Sequence, residues 1–169
     1  MTREGPDAPG GQQVDRTALG NRLAQAIDLS TAESETLKDA LAFYDLGRVG
    51  VLDAIWEKAG PLSAEEWRSV ESHALLGASL LSRHPAAATL VPAVLYHHER
   101  FDGTGYPQGL RGAEIPVLAR IIHVVDAYFA MTQARPYRPA LAHGAATAEL
   151  RRNAGRQFDP ELVRAFVNA

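Results

Sequence analysis

The sequence predicts an all-α, single-domain protein. Three observations carry this: apolar residues recur at helical spacing in one segment after another, no stretch sustains the period-two alternation of a strand, and two Ser-x-x-Glu runs have the form of helix capping boxes. Residues 1–12 are rich in Gly, Pro and polar side chains and read as a flexible lead-in, with the domain spanning 13–169. The first helix is expected from Val14 to Ile27, with Leu19, Leu23, Ala24 and Ile27 on one face. Ser30 and Glu33 form the first capping box and open a second helix bearing Leu37, Ala40, Leu41 and Tyr44, which should end near Gly47. A short amphipathic helix is expected over Val49 to Lys58, before the Gly60-Pro61 break.

Ser63 and Glu66 repeat the capping chemistry for a longer helix carrying Trp67, Val70, Ala74, Gly77 and Leu81, with His73 beside its apolar stripe. A further helix is expected from Ala86 to Glu99, and the glycine-rich run from Arg100 to Gly112 must be a loop. Val117 to Thr132 has the apolar pattern of a buried helix. Two last helices are expected over Pro139 to Asn153 and Pro160 to Val167, each with proline near its first turn.

Composition narrows the chemistry. The 169 residues include 17 Lys+Arg, 20 Asp+Glu, six His and no Cys. Thiolate zinc, iron–sulfur and cysteine-nucleophile sites are therefore excluded, and any metal must sit on His, Asp and Glu. A net charge of -3 supplies no basic stripe, which argues against direct nucleic-acid binding. The apolar runs are too short to span a bilayer and the start has no signal-like apolar core, so no membrane role and a cytoplasmic location are expected.

Asp45, His73, His97, His98 and Asp126 fall on four of the expected helices, which packing can bring to one point. An imidazole-plus-carboxylate set suits Fe, Mn, Ni or Zn better than Ca. Each residue also has a structural reading. His73 fits a satisfied core histidine, and His97-His98 can cap a helix C-terminus against its dipole. Asp126, amid Ile121, Ile122, Val124, Val125, Ala127 and Tyr128, needs a partner or a metal. His84, His123 and His143 are read as structural.

The run from His97 through His98, Glu99, Asp102-Gly103-Thr104-Gly105-Tyr106-Pro107, Gly109-Leu110, Gly112 and Ile115-Pro116 resembles the HD-GYP domains, a branch of the HD superfamily of metal-dependent phosphohydrolases. The likeness continues through Ala119-Arg120-Ile121, Asp126-Ala127-Tyr128, Arg135-Pro136-Tyr137-Arg138 and Gly155-Arg156-Gln157-Phe158-Asp159-Pro160, nearly the whole chain. It implies an HD-type helical bundle and a cleft that hydrolyses cyclic di-GMP. It further implies that His73, His97, His98 and Asp45 hold one divalent metal, and that Asp45 bridges to a second metal served by Asp126. Two cations together would activate water and neutralise the phosphodiester. Arg48 falls where relatives carry a lysine that grips the scissile phosphate. Arg135 and Arg138 would meet phosphates or guanine edges, while Gly105, Tyr106 and Pro107 would line the cleft or dock a protein partner.

Three departures fall on the second metal. The eponymous His-Asp dyad reads Tyr44-Asp45, the ligand on the first helix aligns at or near Gln12, and Phe129 stands where many relatives have a second aspartate. One filled metal site and a weak second one are expected. The expected function is a degenerate phosphodiesterase, with weak or no turnover, serving as nucleotide sensor or docking module. The alternative is an active cyclic di-GMP phosphodiesterase giving pGpG or GMP.

Overall fold

In the computed structural model, residues 15–134 and 139–168 are described. The calls on Gln12, Arg135 and Arg138 fall outside them. Among the described residues the α-helices are α1 (Arg16–Ala26), α2 (Thr31–Phe43), α3 (Asp53–Trp56), α4 (Ala64–Ser82), α5 (Val91–Leu95), α6 (Val117–Thr132), α7 (His143–Arg152) and α8 (Pro160–Asn168). Short 3-10 turns cover Leu46–Gly50, Pro85–Leu90 and Gly112–Glu114. The described residues contain no strand, as the periodicity predicts.

Both capping boxes form. Ser30 Oγ accepts from the Glu33 amide while Glu33 Oε2 accepts from the Ser30 amide, and Ser63 and Glu66 make the same exchange at the start of α4. Each pair satisfies two amides that the helix itself leaves without acceptors, which fixes where α2 and α4 begin.

The axis of the bundle is α6. Its Ala119, Ile121, Ile122, Val124, Val125 and Tyr128 are buried, and α1, α2, α5, α7 and α8 pack around it. Leu19 and Leu23 of α1, Leu37 and Leu41 of α2, Val94 of α5, Leu150 of α7 and Val163 of α8 complete one core. Burying each of the larger side chains is worth about 1.5–3 kcal/mol, so the core fixes α6 and with it the placement of Asp126.

The structure corrects three expected elements, and α2 ends at Phe43 rather than near Gly47. The run Val49 to Lys58 is not one helix; it splits between the 3-10 turn Leu46–Gly50 and α3. Within that turn Gly47 presses on α4: a Cβ there would lie 2.6 Å from the Gly77 amide and 2.8 Å from the His73 carbonyl carbon. The expected Ala86 to Glu99 helix is a 3-10 turn followed by α5, which Pro92 restarts and which ends at Leu95. His97 and His98 thus lie in a turn beyond the helix. The start of α7 moves from Pro139 to His143.

Candidate metal centre

His73 and His97 are each 1% exposed, and together with His98 they bring one ligand nitrogen apiece to within 4.8 Å of one another. Helix α4 positions His73, and the turn after α5 positions the other two. The close Gly47–Gly77 approach lays the segment after α2 against α4, so that Asp45 Oδ1 comes 3.7 Å from His73 Nε2.

Whether these side chains fit a metal is decided by their tautomers. His73 Nδ1 donates to the Val70 carbonyl at 2.5 Å and His97 Nδ1 to the Val94 carbonyl at 2.7 Å. A ring that donates from Nδ1 and stays neutral has a bare lone pair on Nε2. The two Nε2 atoms nevertheless face each other at 3.3 Å. Two lone pairs so placed repel unless a cation lies between them, and two nitrogens about 2.1 Å from one ion at a near-tetrahedral angle stand about 3.4 Å apart. The carbonyl contacts orient the rings in the way second partners orient metal-bound histidines. Burial and the neighbouring imidazoles hold His97 down to about 4 and His98 well below the usual histidine range, which keeps both rings neutral and able to ligate near neutral pH.

The glycine-rich loop sets the open side of His98. Tyr106 stacks on the His98 ring, with centroids 4.9 Å apart and planes 25° from parallel. Gly105 makes that approach feasible: a Cβ there would stand 2.6 Å from both Glu99 Cα and the His98 carbonyl oxygen and would also strike the Arg100 amide. Glu99, buried under the loop, accepts from the Gln108 and Gly109 amides at 2.7 and 3.0 Å. The Phe101 and Asp102 amides tie the loop's start to the Gln157 and Arg156 carbonyls. Arg120 braces the same region by pairing with Asp159, the residue that caps α8.

A cleft of about 790 Å³ opens onto these groups, walled by Asp45, Arg48, His73, His98, Gly105, Tyr106 and Asp126 among others. Pro107 is not on its wall. Arg48 lies flat over Trp56, 4.1 Å from the ring centroid, and its guanidinium donates to Asp45 Oδ2 at 3.2 Å. His123 also lines the cleft, but both ring nitrogens are engaged, one with the Glu99 carbonyl at 2.8 Å and one with Gln157 at 3.1 Å. That fits its structural reading. His143 is likewise partnered, by the Tyr128 hydroxyl at 2.9 Å.

Asp126 lines the same cleft. The Tyr44 hydroxyl donates to its Oδ1 at 2.5 Å, and the Arg16 guanidinium lies 3.7 Å from the same oxygen. Burial and the Asp126 charge push the Tyr44 phenol up, so it stays protonated and serves as a donor. Arg16 also rests on Phe129, 3.8 Å from the ring centroid, a cation–π contact of roughly 0.5–2 kcal/mol. The sequence reading does not single out Arg16, the first residue of α1.

The HD domain family model matches residues 5–162. A 3'3'-cGAMP-specific phosphodiesterase of Vibrio cholerae is 37% identical over 147 residues, covering 87% of this chain and 32% of its own. A cyclic di-GMP phosphodiesterase response regulator of Xanthomonas campestris is 38% identical over 147 residues, covering 86% of this chain and 39% of its own. The chain therefore spans about a third of the length of these relatives. The solved structure of a Bdellovibrio bacteriovorus protein described as HDG"Y"P superposes with a TM-score of 0.72 at 18% identity, over 92% of this chain and 50% of that one, a likeness of fold. With the match across residues 5–162 and the three-histidine cluster of α4 and the turn after α5, the chain belongs to the HD domain family.

Proposed function

We propose that this domain binds a cyclic dinucleotide, cyclic di-GMP in the first instance, at a one-metal centre, and that its turnover is weak or absent. The observation that carries the reading is the 2.5 Å hydrogen bond from Tyr44 to Asp126: the carboxylate assigned to a second metal is already engaged by a neutral phenol and by Arg16. His73, His97, His98 and Asp45 would hold the remaining metal, one of Fe, Mn, Ni or Zn. When bound, such an ion supplies Lewis-acid polarisation of a phosphoryl oxygen or of water.

The chain's own residues supply the rest. His73 and His97 are held in the ligating tautomer by backbone carbonyls, and Tyr106 holds His98 in place. Arg48, preorganised on Trp56, presents a fixed planar donor set to a phosphodiester, and Arg135 and Arg138 would add phosphate or guanine contacts. The cleft is large enough for a nucleotide-sized ligand. The relatives' names point to cyclic dinucleotides, and a signal of that kind goes with a cytoplasmic setting.

The second reading, an active phosphodiesterase giving pGpG or GMP, is favoured by the complete His73, His97, His98 and Asp45 set. Metal analysis followed by incubation with cyclic di-GMP separates the two. Binding with intact nucleotide recovered supports the proposal, and rapid linear product overturns it. Neither binding nor turnover would leave protein docking through the Gly105-Tyr106-Pro107 loop.

A further inference from the structure

Two of the departures from the family pattern converge on a single side chain. Tyr44 stands in place of the dyad histidine and Phe129 in place of an aspartate, and both rings face Arg16, the first residue of α1. The Arg16 guanidinium lies 5.8 Å from the Tyr44 ring centroid and 3.8 Å from the Phe129 ring centroid, and it pairs with Asp126 at 3.7 Å. Its Nε is buried and has no acceptor among the described residues.

We infer that Arg16 takes the place of the second cation, so that the centre is one metal plus one guanidinium. The chemistry of each substitution agrees. A metal site needs lone pairs converging on a point, and a guanidinium has none to accept; it needs flat, electron-rich surfaces and an anion. Phe129 supplies a ring face where a carboxylate would have been a ligand. Tyr44 supplies a second ring, 5.8 Å from the guanidinium, and a hydroxyl that donates to Asp126 rather than a nitrogen lone pair. Asp126 supplies the anion, 3.7 Å from the Arg16 guanidinium. A permanent positive charge at this position repels a second divalent ion, and it gives the cleft a phosphate-facing cation that no chelator removes.

This inference rests on the one-metal reading of the site, and its test separates the two. Mn(II) is titrated into the full chain and into variants, with free Mn(II) counted by electron paramagnetic resonance and folding checked by helical circular dichroism. Wild type and Tyr44→His should each take about one equivalent, because Arg16 still guards the second position, while Tyr44→His/Arg16→Ala should take about one more. Tyr44→His/Arg16→Gln, which drops the charge and keeps a polar side chain, should show the same gain if the alanine variant folds poorly. Two equivalents in Tyr44→His alone, or no gain in either double variant, overturns the inference. No metal in wild type overturns the one-metal reading instead, and the gain of the double variants over Tyr44→His still decides the role of Arg16.

Discussion

The Tyr44 hydroxyl donates to Asp126 Oδ1 at 2.5 Å, joining the end of α2 to the middle of α6 across 82 positions of sequence. In a histidine's place stands a group that donates a hydrogen bond to the carboxylate instead of offering a lone pair beside it. The bond gives a partner to an acid on an otherwise apolar helix.

Tyr44→Phe keeps the ring and deletes the donor. A hydrogen bond to a charged group contributes about 1.5–3 kcal/mol, part of which Arg16 and water will recover, so the expected loss is about 1–2 kcal/mol. Thermal unfolding in chelator should show a midpoint lower by a few degrees. An unchanged midpoint would mean that the bond contributes nothing to the fold.

His97→Ala removes a fully buried ligand and leaves His73 Nε2 without its counterpart. Metal affinity should fall by about 10²-fold or more, read by competition with a chromophoric chelator. His84→Ala, on an exposed histidine, is the control and should change nothing.

Acid should weaken the metal-free protein in a defined window. His97 and His123 are each held down to about 4 and His98 is also lowered, whereas the unfolded chain titrates near 6.5. Between these values the unfolded chain binds more protons than the folded one. Stability is therefore full above about pH 6.5, falls as the pH drops toward 4, and levels off below it. Denaturant midpoints measured from pH 8 to 4 check this, and a flat profile contradicts it.

Gly105→Ala forces a Cβ against three backbone groups of residues 98–100, none of which can rotate away. The expected cost is about 1–3 kcal/mol in urea unfolding. Metal affinity should fall as well, because Tyr106 would be pushed off His98. A variant with wild-type stability and metal affinity would show that the loop does not position the ligand.

Legibility in the sequence followed how local each cause is. Helix α6 matches its expected bounds, Val117 to Thr132, because a dense apolar stripe and flanking loop signals both act within the segment. The starts of α2 and α4 were equally readable, since a capping box is a contact three residues long. The turn at Leu46–Gly50 and the restart at Pro92 were not, because the first packs on α4, a contact distant in sequence, and the second depends on proline's missing amide within an otherwise helical pattern. The convergence of His73, His97 and His98 was legible through the family resemblance. Arg16 was missed because its partners, Asp126 and Phe129, lie more than a hundred residues away and no motif marks the pairing.

The most direct measurement of the central proposal counts metal in the Mn- or Fe(II)-loaded protein, then follows cyclic di-GMP added to that sample by anion-exchange chromatography. The account predicts about one ion per chain, with nucleotide that binds and is recovered largely intact. Two ions per chain with rapid conversion to pGpG or GMP would contradict it.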